Sequence, residues 1–130
     1  MSDRYRELHA LSVAFLEAFN RYDLDGVMAY FTDDAVYEEL TGRVSAGREA
    51  IRKALAPQFE GRFGPIQFIE DDTFIDAAAG KVMSSWGMTI DKDGQPLIMQ
   101  GLDLLHFVGD KVVRKQTFVK SRSPHYLARG

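Results

Sequence analysis

The stretch YFTDDAVYEELTGRVSAGREAIRKAL, Tyr30 to Leu55, decides the fold of this chain. It predicts a helix end followed by a short strand, Ala35 to Leu40, which contains the adjacent carboxylates Glu38 and Glu39. Successive side chains of a strand point to opposite faces, so these two glutamates cannot share one. Alternation alone does not say which of them faces the interior.

A glycine-framed loop and a helix follow that strand. Gly42 and Gly47 bound the loop, and Arg48 to Leu55 has a helical pattern that Pro57 and Gly61 are expected to limit. No Gly-rich phosphate loop is present, because the glycine before Arg48 opens a helix rather than a nucleotide-binding turn.

The residues before this stretch predict two further helices. An apolar face recurs at three- and four-residue steps along a helix from about Arg4 to Arg21, for which Asp3 is a candidate cap. Asp23 or Asp25 can begin a short second helix. The apolar positions of the first helix are Leu8, Leu11, Phe15, Phe19 and Tyr22.

The second half of the chain predicts strands. Four segments rich in β-branched and aromatic residues are separated by short turn clusters, which favour antiparallel hairpins. The segments are Ile66 to Asp76, Lys81 to Ile90, Leu97 to Val108 and Lys111 to Lys120. Helices followed by a strand meander predict one α+β domain over residues 1–130, with a curved, mostly antiparallel sheet closed by three N-terminal helices.

Composition limits the classes of function. The net charge of −3 argues against nucleic acid or an anionic membrane as a partner, and no cysteine is present for disulfides or thiolate chemistry. The N-terminus has no long apolar segment typical of a signal peptide. His9, His106 and His125 lack metal-ligand spacing with a carboxylate, so no metal site is predicted. A cytoplasmic, cofactor-independent protein is expected.

Asp103 is a lone acid inside the apolar strand segment Gly101 to Leu105. An ionised carboxylate on an apolar face is costly unless it is paired, and acids in such positions are candidates for proton chemistry. The alternative is a structural acid paired with a nearby Arg or Lys. Elsewhere in the chain, the alternation in Val112 to Lys120 does not decide whether Lys115 lines the interior or the outer face of the sheet.

The order of elements resembles the nuclear-transport-factor-2-like (cystatin-like) superfamily, and within it the SnoaL-like and ketosteroid-isomerase-like proteins. The resemblance implies a conical α+β barrel, commonly a homodimer formed through the outer sheet face. The superfamily hosts isomerases, cyclases, hydrolases, dehydratases and non-catalytic binders, so the fold does not give the function. The residues that carry the resemblance are Phe15 to Asn20, Asp23 to Asp25, Tyr30 to Ala35, Glu38-Glu39, Gly47 to Ile51, Leu102 to Phe107 and Gly109 to Val112.

The resemblance also implies roles for the two acids. Glu39 falls where the isomerases carry their catalytic base, and Asp103 falls where they carry a neutral acid that donates to the developing oxyanion. In the ketosteroid isomerases that acid is an established example of a carboxylic acid that its apolar surroundings keep protonated at neutral pH. A purely hydrophobic argument would instead bury the Val36 face of the strand and leave Glu39 in solvent.

An apolar pocket around these acids is implied as well. Gly101, which lacks a side chain beside Asp103, is expected to leave space for a ligand, although plain core packing is the alternative for each aromatic residue. The expected lining is Phe15, Phe19, Tyr37, Leu55, Phe59, Trp86, Met88, Met99 and Gly101.

Departures from the isomerase pattern limit the predicted reaction. Phe15, Phe31 and Leu55 replace three tyrosines of the isomerases. Losing one oxyanion donor costs roughly a hundred- to a thousand-fold in rate, so a true steroid isomerase is not expected. We predict a cofactor-free acid–base enzyme of isomerase or polyketide-cyclase type acting on a small apolar carbonyl compound. The alternative is a non-catalytic binding or assembly module of the same fold.

Overall fold

The computed structural model describes residues 2–124 and 126–129. Within these described residues three helices and six strands follow one another, with the helices in the N-terminal half as predicted. The helices are α1 (Asp3–Asn20), α2 (Leu24–Met28) and α3 (Arg48–Phe59). The strands are β1 (Phe31–Glu38), β2 (Val44–Ala46), β3 (Ile66–Asp76), β4 (Lys81–Lys92), β5 (Gln95–Val108) and β6 (Lys111–Val119).

The strands form one sheet in the order β2-β1-β6-β5-β4-β3. All neighbours are antiparallel except β1 and β6, which run parallel. The α+β class and the mostly antiparallel sheet are therefore confirmed. The order ends at β2 and β3, so the sheet remains open between these two edges and the expected barrel closure is not confirmed.

Several boundaries differ from the sequence prediction. Strand β1 begins at Phe31 rather than Ala35, and the segment between Gly42 and Gly47 contains the short strand β2. Helix α3 continues through Pro57 to Phe59. A proline removes one backbone hydrogen bond, but the Glu60 N–H donates to the Ala56 carbonyl and closes the next turn.

Helix α1 packs across the sheet and is fixed at both ends. Its N-cap is Ser2 rather than Asp3, because the Ser2 hydroxyl accepts from the Tyr5 N–H at 3.1 Å. At the other end the Asn20 amide donates to the Phe68 carbonyl at 2.9 Å and accepts from the Phe68 N–H at 2.7 Å. This amide occupies backbone groups that edge strand β3 would otherwise leave unpaired.

The core lies between the helices and the inner face of the sheet. Phe15 and Phe19 are buried there, as predicted, with ring centroids 5.2 Å apart in an edge-to-face arrangement. Leu8, Val27 and Val82 are fully buried in the same cluster. This packing fixes the helices over one end of the inner face and leaves the space described next.

Candidate functional site

Two adjacent cavities lie on the inner face of the sheet. The larger, which we call the mouth cavity, has a volume of about 720 Å³ and is bounded by α3, the turn after β1 and parts of β4 and β5. The smaller, the deep cavity, has a volume of about 60 Å³ and extends toward β6 and α1. Both walls include Tyr37, Leu40, Gln58 and Met88. A ligand in the mouth cavity would therefore lie next to the deep one.

Glu39 lines the mouth cavity, immediately after the end of β1. Its side chain is 21% exposed, and Oε2 is buried with no hydrogen-bond partner among the described residues. The nearest cation is Arg43, whose Nε lies 3.9 Å from Oε2, beyond hydrogen-bonding distance. Glu38 instead forms an ion pair with Arg114. The cavity thus contains a carboxylate oxygen that can still accept a proton or a hydrogen bond.

Asp103 lies in the deep cavity and is surrounded by donors. Its Oδ1 accepts from Lys115 Nζ at 3.1 Å and from Thr117 Oγ1 at 2.7 Å. Its Oδ2 accepts from Trp86 Nε1 at 3.2 Å. Ser84 lies opposite Asp103 on the neighbouring strand and is also buried. Asp103 is the acceptor in all three hydrogen bonds, and this geometry does not support its expected role as a neutral, proton-donating acid.

Lys115 is the cation of this group and is only 5% exposed. Its Nζ also donates to Thr117 Oγ1 at 2.8 Å and lies 4.6 Å from the centroid of the Tyr37 ring. Burial is the largest single influence and lowers the pKa of Lys115, but Asp103, Tyr37 and Glu39 together outweigh it, so the net pKa is raised. The amine is therefore held as an ammonium at neutral pH.

The two acids were expected to line one cavity, but they lie in different ones. Glu39 lines the mouth cavity and Asp103 the deep cavity, with Tyr37 and Gln58 in the wall of both. Asp103 is therefore the paired acid that the alternative interpretation described, although its partner Lys115 lies beside a cavity and not away from one. The predicted pair of a base and a neutral acid reduces to one available carboxylate, Glu39.

Gly101 does not leave space for a ligand. A Cβ at this position would lie 2.6 Å from Trp86 Cη2 and 2.5 Å from the Phe118 carbonyl oxygen. The indole of Trp86 therefore covers Gly101. In this position the indole N–H reaches Asp103, which lies on the same strand as Gly101. The glycine is needed for packing of the indole, which sequence reasoning had not anticipated.

Tyr37 contributes a phenol where the two cavities meet. Burial raises the pKa of Tyr37, and the neighbouring Lys115 charge opposes that shift without reversing it. The hydroxyl therefore keeps its proton at neutral pH and is available as a hydrogen-bond donor. Gln58 adds a second donor, because its Nε2 is buried with no hydrogen-bond partner among the described residues.

The other residues of the predicted lining divide into two groups. Leu55 and Met99 line the mouth cavity, Phe19 and Trp86 line the deep cavity, and Met88 lines both. Phe15 and Phe59 belong to the wall of neither and pack in or against the core. The lining of the two cavities therefore gives no support to their expected contact with a ligand.

Sequence reasoning missed Gln58, which lies on α3. It also missed Thr117 and left the face of Lys115 open, because a bulge sets the register of β6. At the hairpin Phe107 pairs with Val112, but His106 pairs with Arg114, so Val113 is an extra residue. Beyond the bulge the pairs are Leu105 with Lys115 and Asp103 with Thr117. Direct counting from the hairpin would have turned Arg114 and Gln116 inward instead. The cost of burying a lone lysine does not by itself show which face of the strand Lys115 occupies.

Two negative observations apply to the part of the chain that is described. No group of three or more His, Cys, Asp or Glu side chains is arranged to hold a metal ion. None of the helices there is both long and apolar enough to cross a bilayer.

Comparison with solved structures shows the same fold. A candidate polyketide cyclase of Xanthomonas campestris pv. campestris superposes with a TM-score of 0.79 at 18% identity, covering 89% of this chain and 92% of its own. The epoxide hydrolase/cyclase-like enzyme SalBIII, described in pyran ring formation in the polyether salinomycin, gives 0.79 at 15% identity, covering 92% and 95%.

A third structure is closer in sequence. An uncharacterised cystatin-fold protein of Novosphingobium aromaticivorans is 27% identical, with a TM-score of 0.71 and coverage of 86% of this chain and 97% of its own. No curated protein matches the sequence significantly. The family model of the SnoaL-like domain matches residues 13–115, most of the chain, which confirms the resemblance found in the sequence. This chain belongs to the SnoaL-like domain family.

Proposed function

We propose that this protein is an acid–base enzyme that moves a proton on a small, mainly apolar carbonyl compound bound in the mouth cavity. The observation that carries the proposal is the buried Oε2 of Glu39 in the wall of that cavity, which accepts no hydrogen bond from any described residue. A buried acceptor without a partner is costly, and natural proteins retain such atoms mainly where a ligand or a proton completes them. Glu39 is the general base in this proposal.

The proposed reaction needs a donor as well as a base. When Glu39 removes a proton from the carbon next to a carbonyl group, negative charge develops on the carbonyl oxygen. The Tyr37 hydroxyl and the Gln58 amide lie in the same wall and can donate to an oxygen in this cavity. Return of the proton to a different carbon gives isomerisation. Attack of the carbanion on a second carbonyl closes a ring, and the oxygen of that carbonyl then takes the proton back from Glu39.

The solved relatives support this class of chemistry. One is named a candidate polyketide cyclase and another an epoxide hydrolase/cyclase-like enzyme. Both share the fold at low identity, so their names suggest a reaction class and not a substrate. The apolar mouth wall, which includes Leu55 and Met99, suits a hydrophobic ring or chain.

The alternative is a binding module without catalysis. The observation that favours it is that both oxygens of Asp103 already accept hydrogen bonds from neighbouring side chains. Glu39 is then the single acid of the predicted pair that is available to a ligand. Under this alternative the mouth cavity binds the same kind of compound, and Glu39 only accepts a hydrogen bond from it.

One experiment separates the two proposals. Exchange of α-hydrogen for deuterium in cyclic ketones is followed by NMR with the wild-type protein, Glu39→Gln and Glu38→Gln. Glu38 is the matched control, since it is the neighbouring acid and pairs with Arg114 instead of lining the cavity. A general base contributes roughly 10²–10⁴-fold, so we expect Glu39→Gln to bind ketones with exchange slowed at least about a hundred-fold.

The outcomes differ clearly. Exchange by Glu38→Gln at the wild-type rate, together with loss in Glu39→Gln, supports the enzyme. Ketone binding by the wild type, seen as thermal stabilisation without any exchange above the buffer rate, supports the binding module. Equal exchange by the wild type and Glu39→Gln removes Glu39 as the base.

A further inference from the structure

Lys115 and Asp103 form a buried ion pair that the proposed base does not use. Lys115 is 5% exposed and Asp103 is 7% exposed. Replacing a buried ion pair by apolar side chains of similar volume is often neutral or stabilising, so such a pair is a poor device for stability alone. A position beside a cavity suggests a different use, and both residues line the deep cavity.

The contacts of the ammonium define what it offers. Lys115 Nζ is held by Asp103 and Thr117, while its remaining surroundings are the rings of Tyr37 and Phe19, at 4.6 and 5.5 Å from their centroids. An ammonium has three N–H donors, and the two fixed oxygens engage two of them. Tyr37 and Phe19 also line the deep cavity, so this cavity lies on the aromatic side of the ammonium. An oxygen atom that enters there meets a fixed positive charge.

We propose that Lys115 is the electrophile of this site: it stabilises negative charge on a ligand oxygen that reaches from the mouth cavity into the deep cavity. Asp103 and Thr117 are positioning residues that act through Lys115. The ligand class is a carbonyl compound that forms an enolate, or a phenol that binds as its phenolate. This inference rests on the proposed function for its substrate, and it replaces the neutral Asp103 donor expected from the resemblance.

The step balances without any further reactant. Glu39 takes the proton from the carbon next to the carbonyl, and the C–H electron pair becomes the carbon–carbon double bond. The carbonyl π pair moves onto oxygen, where the Lys115 N–H donates a hydrogen bond and keeps its proton. Reprotonation of carbon by Glu39 reverses the electron flow. Lys115 remains an ammonium throughout, which agrees with its protonated state in the folded protein.

The size of the deep cavity fits this role. A volume of about 60 Å³ admits one small functional group, while the body of the ligand remains in the mouth cavity. Tyr37 and Met88, which belong to both walls, would flank the connecting atoms. The subsite therefore selects compounds whose oxygen projects from one end of an apolar ring.

The test uses 2-naphthol, an apolar ring with one ionisable hydroxyl whose two protonation states differ in absorbance. Its ionisation is titrated free and bound to the wild-type protein, Lys115→Met and Lys81→Met. Lys81 is the matched control, an exposed lysine on β4. We expect wild type and Lys81→Met to lower the ionisation pH of bound 2-naphthol by at least about one unit, a tenfold preference for naphtholate. Lys115→Met should abolish that lowering.

A second variant guards against misfolding. Lys115→Met leaves Asp103 buried without its cation, whereas Lys115→Met/Asp103→Asn removes both charges together and is expected to fold. The double variant should likewise show no lowering. Equal lowering in wild type and in either Lys115 variant, no lowering in wild type, or no binding of 2-naphthol at millimolar concentration each overturns the proposal. Glu39→Gln should retain the lowering, so failure of the base and failure of the electrophile are seen separately.

Discussion

Replacement of Gly101 by alanine tests how the indole of Trp86 is held. The new Cβ would lie 2.5 Å from the Phe118 carbonyl oxygen and 2.6 and 2.9 Å from two atoms of the Trp86 ring, closer than Cβ contacts in folded proteins. Either the neighbouring strand or the indole must move. Overpacking of this kind costs roughly 1–3 kcal/mol, and loss of the hydrogen bond from Trp86 to the Asp103 carboxylate costs roughly 1.5–3 kcal/mol. Since the two contributions are coupled, we expect a total loss of roughly 2–5 kcal/mol in the free energy of unfolding.

The measurement is unusually direct because Trp86 is the single tryptophan of the chain. Urea unfolding followed by its fluorescence gives the stability, and the emission maximum of the folded state reports the environment of the indole itself. Displacement from its buried position should shift the emission of Gly101→Ala to longer wavelength.

Gly87→Ala is the matched control for this change. It lies on the adjacent strand β4, and an added Cβ there would meet only the flexible end of Ile98, at 3.3 Å. We expect a change within about 0.5 kcal/mol, as for ordinary surface substitutions. If Gly101→Ala matches Gly87→Ala in stability and keeps the wild-type emission, the account of the indole and of the carboxylate it supports is refuted.

Three further predictions follow from other features. Folding raises the pKa of Lys115 above the ordinary lysine value of 10.5 and the pKa of Tyr37 above the ordinary tyrosine value of 10.0. Both groups therefore add stability that is fully present below about pH 10 and is lost as the pH rises through their pKa values in the folded protein. Urea midpoints should therefore fall above pH 10, with a smaller fall in Tyr37→Phe than in Tyr126→Phe; equal falls would contradict the assignment. The outer face exposes Ile98 at 67% and Phe118 at 50%, so we expect a homodimer through this face. Ile98→Lys should sediment as a monomer and Leu127→Lys as a dimer, and a monomeric wild type at micromolar concentration would exclude this interface. Asn20→Ala should lower stability by roughly 1–3 kcal/mol through loss of both bonds to Phe68, while exposed Gln67→Ala changes little; similar losses in both would assign no special role to Asn20.

The fold was predictable because long periodic segments specify it. The apolar steps from Leu8 to Phe19 can only be buried as a helix face, and the short turn clusters between the later strands favour antiparallel neighbours. Short elements were less predictable, since the three residues of β2 carry too little pattern to distinguish a strand from a loop. The end of α3 was mispredicted at Pro57, because a proline so near the end of the helix removes one hydrogen bond and leaves the next turn intact.

The site was predictable only in part, and the reason is register. Ala35 and Tyr37 alternate in burial with Val36 as the strand pattern predicts, and both Tyr37 and Glu39 line the mouth cavity. The bulge at Val113 shifts β6 by one residue, which places Lys115 beside Asp103 and converts the expected neutral acid into half of an ion pair. A single extra residue in a strand has no marker in composition or periodicity. The contact between Gly101 and Trp86 likewise depends on cross-strand geometry that a sequence does not display.

The inner position of the last strand has a consequence for how the protein is made. Strand β6 lies between β1 and β5 and, among the described strands, it alone joins the first two strands to the meander. During synthesis the sheet therefore remains in two unconnected pieces until residues 111–119 have left the ribosome. Truncation before β6 would divide the sheet rather than trim its edge. By the same logic, a synthetic peptide carrying β6 supplied to the truncated chain would have to insert between two preformed edges, which makes this strand a natural position for a split-protein reporter of assembly.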